Sequence, residues 1–197
     1  MEGIIGFVLA GLALAGSPGP NTLSLAATGA AFGARRGLGF MAGVVLGMAL
    51  VMVIVATGVT GLVLAVPGAA FAITGAAALY FAWLAFRIAT APPLGDHAAM
   101  GQAPSVLGGV LLSLVNPKAY AAMAALFSGF VLIDGNPALD AMVKIATLLV
   151  VIVAVNVSWL YAGAALTRFL RNPTTSRAIN VGFALALVAS VVAVLLF

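Results

Sequence analysis

The sequence has no cysteine and very few charged residues. Without cysteine the chain forms no disulfide, carries out no thiol redox chemistry and offers no thiolate metal site. Only 6% of its residues are charged, whereas an ordinary soluble domain has about a quarter. The only histidine, His97, lies in a polar segment. An intramembrane hydrolase would need a base beside Ser17 or Ser113, so the position of His97 argues against that class.

The residues that are present indicate an integral membrane protein. Hydrophobic residues make up 64% of the 197, and the mean hydropathy is +1.28. The net charge of +4 comes from so few residues that it does not indicate nucleic acid as a partner. The first apolar run follows Glu2 rather than basic residues and resumes after Gly16-Ser17. We therefore interpret it as an uncleaved span and not as a signal peptide.

Six apolar runs reach the roughly 20 residues that a membrane-spanning helix needs. They cover residues 3–32, 38–64, 69–90, 105–133, 141–167 and 178–197. The sequence thus predicts an all-α integral membrane protein with a single membrane domain, residues 1–197. A polar linker over residues 91–104 divides it into two three-helix repeats, residues 1–90 and 105–197. Because three is odd, related halves of this kind enter the membrane in opposite directions and form an inverted repeat.

Charge placement predicts the orientation of the chain. The arginines fall beside the first, third and fifth connections, on one side of the membrane: Arg35, Arg36, Arg87, Arg168, Arg171 and Arg177. Glu2, Asp134 and Asp140 fall on the other side, with Lys144 just inside the fifth span. The positive-inside rule places the arginines in the cytoplasm, so both termini and the short acidic connections are expected on the outer face, and the 91–104 linker in the cytoplasm.

Two proline motifs interrupt the first and fourth spans near their centres. Pro18 and Pro20 lack an N–H and would leave the carbonyls of Leu14 and Gly16 without their helical partners. The second interruption is Asn116-Pro117-Lys118. Irregular backbone at this depth persists only where protein or water covers it, and paired interruptions in two halves indicate a transporter's binding site.

Lys118 is the charged residue that this depth singles out. It lies roughly 20 Å of helix from either end of its run, too far for its stem to reach the membrane surface. Each interruption also restarts a helix whose N-terminus is electropositive, so the site suits a carboxylate. The alternatives are structural: Lys118 covers the carbonyls freed by Pro117, and Asn21 and Asn116 only cap helices.

The spans have no Asp or Glu within the predicted bounds. A carrier of lysine or arginine needs an acidic partner for the substrate side chain, so we expect small neutral amino acids as substrates. The same absence leaves no carboxylate for a proton relay. Gly39, Gly43 and Gly47 form a small-residue stripe for close packing, within the bundle or in a homodimer. Tyr80 belongs either to an interfacial aromatic belt or to a cavity wall.

Three motifs in this order resemble the LysE/RhtB superfamily of bacterial amino-acid exporters, the homoserine/threonine-type efflux proteins. They are residues 17–21 (Ser-Pro-Gly-Pro-Asn), Tyr80-x-x-Trp83-Leu84 ahead of Arg87, and residues 116–119 (Asn-Pro-Lys-Ala), with the glycine-rich second span between the first two. The resemblance covers essentially the whole chain. It implies a bacterial inner-membrane protein that exports amino acids, using the proton motive force and no cofactor.

The resemblance also gives a set of substrate-binding residues. Some relatives have an aspartate in the fifth span where this chain has Asn156, so proton coupling here would use another group or water. The predicted set is Ser17, Pro18, Gly19, Pro20, Asn21, Asn116, Pro117, Lys118 and Asn156. Alternatives that stay open are export of basic amino acids, of another small solute or of a metal ion. A passive channel or a structural membrane subunit fits less well, because a channel does not concentrate its solute and a structural subunit explains neither proline motif.

Overall fold

The computed structural model describes residues 2–58, 68–90, 103–165 and 173–196, and this part of the chain is helical, without strands. The helices are α1 (Glu2–Gly16), α2 (Pro20–Phe32), α3 (Ala34–Ala56), α4 (Ala69–Ala89), α5 (Val106–Leu114), α6 (Pro117–Gly129), α7 (Pro137–Ala165) and α8 (Pro173–Leu196). Most of the predicted linker, residues 91–102, lies outside the described residues, as do Arg168 and Arg171.

The predicted interruptions of the first and fourth spans are confirmed. α1 and α2 meet at 59°, and α5 and α6 meet at 62°. α3 and α7 are long and apolar enough to cross a membrane unbroken, and each bent pair can form one more span. Pro20 and Pro117 each begin a helix, where the missing proline N–H costs no hydrogen bond. The six-span count and the inverted repeat stay predictions.

Several connections differ from the sequence prediction. The turn expected over residues 33–37 is wrong, since Gly33 alone separates α2 from α3 and Arg35 and Arg36 lie inside α3. Gly33 has φ of 79°, a conformation that a residue without Cβ adopts at little cost. α7 begins at Pro137 instead of residue 141, because Asn136 Oδ1 accepts a hydrogen bond from the Leu139 N–H at 3.1 Å and caps the helix.

The core forms two clusters, and the chain passes between them at the breaks. The first core cluster draws on α2, α3, α4, α5 and α8 and includes Leu25, Phe40, Phe81, Leu112 and Leu187. The second core cluster draws on α1, α3, α6 and α7 and includes Phe7, Met48, Met123, Leu148 and Ile152. Because α1 and α2 lie in different clusters, and so do α6 and α5, the two breaks lie at the boundary between the clusters.

Glycines bring two helix pairs into backbone contact beside the first core cluster. A Cβ added to Gly43 of α3 would lie 1.9 Å from Val106 O of α5, and one added to Gly163 of α7 would lie 1.9 Å from Ala26 O of α2. The small-residue stripe of the second span therefore packs against α5 within the chain, while the homodimer stays a prediction. The Tyr80 hydroxyl donates a hydrogen bond to Gly108 O, so this side chain joins α4 to α5 in addition to any place in an interfacial aromatic belt.

Candidate functional site

The two helix breaks contact each other through their asparagines. Asn116 Nδ2 donates to Asn21 Oδ1 at 3.0 Å, and Asn21 Nδ2 donates to Ser113 Oγ at 3.2 Å. The Ser113 hydroxyl in turn donates to Val44 O of α3 at 3.0 Å. This chain of hydrogen bonds ties both breaks to the second span. By sequence alone Ser113 is only a candidate nucleophile, and its bridging role depends on a contact between helices that no local pattern reveals.

The two asparagines have different local roles. Asn116 caps α6, because its Oδ1 accepts from the Lys118 backbone N–H at 3.1 Å. Asn21 lies inside α2, after the N-terminal residue Pro20, and does not cap it. At that helix start the Thr22 hydroxyl accepts from the Gly19 N–H at 2.9 Å. The capping interpretation is thus correct for Asn116 alone, and Asn21 serves as the bridge between the breaks.

The carbonyls that the prolines were expected to free have side-chain partners. Ser17 Oγ donates to Leu14 O at 2.9 Å, and Trp159 Nε1 of α7 donates to Gly16 O at 3.2 Å. An unpaired carbonyl at this depth would cost several kcal/mol, so these two donors make the first break tolerable. Ser17 could be foreseen from its position beside the prolines, whereas Trp159 lies too far along the chain for any sequence signal.

Lys118 crosses from the second break to the first. Its Nζ lies 3.0 Å from Ser17 O, 2.7 Å from Ser17 Oγ and 2.8 Å from Pro18 O. We call these two carbonyl oxygens and one hydroxyl oxygen the carbonyl cradle. A lysine ammonium has three N–H donors, and the cradle provides one acceptor for each. Among the described residues the ion pair is Lys144 with Asp140, so Lys118 rests on neutral oxygens. Lys118 therefore does cover carbonyls, but they belong to the first break and not to the break at Pro117.

Gly19 leaves the space that the Lys118 side chain needs. A Cβ added to Gly19 would lie 2.8 Å from Lys118 Nζ and 2.9 Å from its Cδ. The backbone of Gly19 is fully extended, with φ and ψ both −177°, which any residue can adopt. Glycine therefore lets the Lys118 side chain approach this closely, and it is not needed for the backbone conformation.

A small cavity of about 40 Å³ lies where the breaks meet. Seven of the nine predicted site residues line it: Ser17, Gly19, Pro20, Asn21, Asn116, Lys118 and Asn156. Pro18 and Pro117 are outside the lining. Met48, Met123 and Ile152 of the second core cluster form much of the apolar wall. A space of this size holds about three water molecules, so an amino acid would need the walls to move apart.

Asn156 of α7 presents an unused donor to the cavity. The residue is 3% exposed, and its Nδ2 has no hydrogen-bond partner among the described residues. A buried donor without a partner costs about 1–3 kcal/mol, which a ligand acceptor would offset. The N-terminal residues of α2 and α6 also line the cavity, and helix N-termini favour negative charge. Together with Lys118, these groups can bind a carboxylate.

The contact between Ser17 and Lys118 is not that of a catalytic pair. A lysine acting as general base must accept the serine proton, but the Ser17 hydroxyl donates to Leu14 O. Lys118 Nζ meets two carbonyl oxygens that can only accept, so it is the donor in each contact and its cationic form fits. The geometry thus supports binding and not acyl transfer. In the described part of the chain, no three His, Cys, Asp or Glu side chains come together as a metal site.

The other lysine, Lys144, is buried and stabilises the junction between α6 and α7. Lys144 Nζ lies 2.6 Å from Asp140 and donates to Phe127 O of α6 at 3.0 Å. Asp140 also accepts from the backbone N–H groups of Leu132 and Ile133, at 2.7 and 2.9 Å. Because these bonds satisfy an extended segment, α6 ends at Gly129 and not at Ile133 as expected. The four-residue spacing of Asp140 and Lys144 was the signal for the pair.

Comparisons with known proteins identify a family for the chain. The family model described as LysE type translocator matches residues 12–197. A cysteine/O-acetylserine efflux protein of Escherichia coli (strain K12) is 32% identical over 173 residues, 87% of this chain and 87% of that protein. A leucine efflux protein of Enterobacter sp. (strain 638) is 30% identical over 161 residues, 79% of this chain and 76% of that protein. No solved structure matches the chain.

The family match covers both proline motifs, the cavity and the helices around it. It confirms the resemblance seen in those motifs, and the family's members are translocators rather than enzymes. The apolar and broken helices are of the kind that spans a membrane. The chain therefore belongs to the LysE type translocator family and is a multi-pass membrane protein.

Proposed function

We propose that the protein exports small neutral amino acids from the bacterial cytoplasm, through the cavity between the two helix breaks and at the expense of the proton motive force. The proposal includes the six-span inverted repeat, with both termini on the outer face of the inner membrane. The relatives named for efflux of cysteine, O-acetylserine and leucine support a neutral amino acid as the substrate.

One observation carries the substrate assignment. Lys118, the N-termini of α2 and α6 and the unpaired Asn156 amide converge on a cavity whose lining has no Asp or Glu. These donors suit the carboxylate that all amino acids share. A basic side chain would find no carboxylate in that lining, and moving its charge away from water would then be unfavourable.

Counterflow in proteoliposomes tests the proposal. Vesicles loaded with unlabelled leucine, threonine, cysteine or O-acetylserine should accumulate the same labelled compound, whereas vesicles loaded with lysine should not accumulate labelled lysine. Protein-free vesicles are the control for leakage. Strong lysine or arginine exchange that neutral amino acids fail to inhibit would contradict the substrate class.

The driving force needs a separate measurement. Efflux from loaded vesicles should accelerate when a proton gradient is imposed and return to the basal rate when a protonophore removes it. Efflux that is indifferent to both treatments would leave the substrate proposal standing and refute proton coupling. Asp140 and Lys144 are paired outside the cavity lining. We therefore do not assign the proton to a carboxylate at the site.

A further inference from the structure

The carbonyl cradle is shaped for an ammonium group. Ser17 O, Ser17 Oγ and Pro18 O surround Lys118 Nζ at 3.0, 2.7 and 2.8 Å. These are N–H···O distances, longer than the 2.3–2.6 Å that an oxygen-coordinated metal ion such as Ca²⁺ adopts. The two carbonyl oxygens can accept from an ammonium because the first break interrupts the helical backbone hydrogen bonds there; Ser17 O also accepts from the Thr22 hydroxyl at 3.3 Å. An amino-acid substrate brings its own ammonium group to a cavity that borders this cradle.

We propose that the carbonyl cradle is the binding place of the substrate's α-ammonium group, and that Lys118 occupies it as an internal substitute in this conformation. On substrate binding, the Lys118 ammonium leaves the cradle and pairs with the substrate carboxylate, while the substrate ammonium takes its three oxygens. This rests on the proposed function and specifies its substrate class: a zwitterion with both charged groups on one carbon.

The exchange conserves the charges and hydrogen bonds of the site. Before binding, Lys118 has three acceptors and the cradle oxygens have one ammonium. After binding, the cradle again holds an ammonium, and Lys118 has a carboxylate, to which hydrogen bonds are stronger than to neutral oxygens. Neither a carboxylate alone nor an amine alone achieves both. An acid without an ammonium would leave Ser17 Oγ and Pro18 O without the ammonium donor, while Ser17 O would keep only the Thr22 hydroxyl at 3.3 Å. An amine without a carboxylate would leave Lys118 unpaired.

Three probes distinguish binding of the substrate carboxylate by Lys118 from binding of the substrate ammonium by the carbonyl cradle. Leucine has both groups, leucinamide has the ammonium without the carboxylate, and N-acetyl-leucine has the carboxylate without the ammonium. Their affinities are measured on purified wild type and Lys118→Met in detergent. Relative to leucinamide, leucine and N-acetyl-leucine should lose about 10–100-fold in affinity in the variant, since the charge-assisted hydrogen bond to their carboxylate is lost. Leucinamide should bind the variant more tightly than wild type, by about tenfold or more, because it no longer displaces a lysine.

Two glycine variants supply the matched control. A methyl group at Gly19 would intrude on the ammonium position, so Gly19→Ala added to Lys118→Met should abolish the gain in leucinamide affinity. A Cβ at Gly16, on the same break, would meet Val155 Cγ2 at 3.9 Å, an ordinary contact. Gly16→Ala added to Lys118→Met should therefore preserve the gain. Loss of the gain in both double variants would contradict a specific ammonium position.

Sodium is the other cation that such oxygens could take. Replacing choline chloride with sodium chloride should leave the leucinamide affinity of Lys118→Met unchanged. If sodium competes with leucinamide, the cradle is an alkali-ion site and the proposal is overturned. If leucine weakens in Lys118→Met while leucinamide does not gain, the carboxylate assignment stands and the ammonium assignment fails. If neutral amino acids do not bind wild type but leucinamide still gains in the variant, the proposed function fails and the cradle stands.

Chemical rescue keeps the proposal testable if Lys118→Met folds poorly. In Lys118→Ala the space of the side chain is open to a small amine. Ethylammonium should raise the melting temperature of this variant and leave wild type unchanged, because it restores three N–H donors to the cradle. Tetramethylammonium, which has the charge but no N–H, should have no effect. Equal stabilisation by both ions, or by neither, would contradict an ammonium-binding cradle.

Discussion

Asn156 lowers the stability of the folded protein, because its buried amide nitrogen makes no compensating hydrogen bond among the described residues. Its buried Nδ2 finds no acceptor in the described part of the chain, although the side chain lines the cavity. We expect Asn156→Leu to stabilise the protein by about 1 kcal/mol, because an unpaired buried donor is removed. The same change should weaken leucine binding severalfold. A thermal melt and a binding isotherm on one preparation check both signs, and a fall in stability would show that Asn156 is structural.

Asp140 and Lys144 make unequal contributions to stability. Lys144 is 3% exposed and Asp140 14% exposed, and Asp140 keeps two backbone N–H partners when the lysine is removed. Asp140→Ala leaves a buried cation and should cost about 3–5 kcal/mol. Lys144→Met should cost less. In denaturant or thermal unfolding, the double variant should be more stable than Asp140→Ala alone, and a double variant less stable than either single change would refute this account.

At the residue scale, the sequence predicts which side chains lie at the helix breaks better than it predicts what they contact. Lys118 stands out because of its depth, and Asn116 because of the proline that follows it. Their partners lie about a hundred residues away: Lys118 donates to the backbone carbonyls of Ser17 and Pro18, and Asn116 donates to the side-chain oxygen of Asn21. Such contacts depend on how two interrupted spans are brought together, which hydrophobic periodicity does not specify.

At the scale of the helices, packing around the breaks relies on glycine. Gly163→Ala would place a methyl group 1.9 Å from Ala26 O, a backbone atom that cannot move aside without shifting α2. Overpacking of this kind costs about 1–3 kcal/mol or more. The matched control is Gly182→Ala in α8, where nothing lies within 4 Å and the helix should gain up to about 1 kcal/mol. Melting temperatures that shift in the same direction for both variants would refute this difference.

The helices themselves were largely predictable, and their ends were less so. Proline fixes the two breaks because it removes a backbone donor wherever it occurs. The start of α3 depends on Gly33, which alone turns the chain between α2 and α3. The end of α6 depends on Asp140, which accepts from the backbone N–H groups of Leu132 and Ile133, eight and seven residues earlier. A sequence shows the residues that are capable of such contacts, but not which ones form.

At the scale of the whole molecule, the two sides of the site are packed differently. Nearly all of α2 is buried, and glycine contacts join α2 to α7 and α3 to α5. In α1, on the other side of the first break, the described residues are mostly exposed or half-buried. The apolar wall of the cavity belongs to the second core cluster, on the side of α1 and α6. Among the described residues, close backbone contacts between helices therefore lie on the Arg35 side of the cavity, and we expect that side to be the closed one.

Single cysteines in this cysteine-free chain test both the orientation and the direction of access. Arg35 and Asp134 are exposed, and Ala122 of α6 lines the cavity. In intact cells whose outer membrane has been removed, an impermeant maleimide should label Asp134→Cys and leave Arg35→Cys unlabelled. Inverted vesicles should give the opposite result, since the positive-inside rule places Arg35 in the cytoplasm. Labelling of Arg35→Cys from outside would reverse the assigned topology.

Ala122→Cys then reports which side opens to the cavity. Because the closely packed glycine contacts lie on the Arg35 side, we expect the reagent to reach the introduced thiol from the Asp134 side and leucine to slow the labelling. The same reaction in inverted vesicles should be slower unless leucine and a proton gradient drive the transport cycle, which must open the cytoplasmic side for substrate to enter. Faster labelling from the cytoplasmic side without substrate would mean that the α2–α7 and α3–α5 contacts do not form the closed gate.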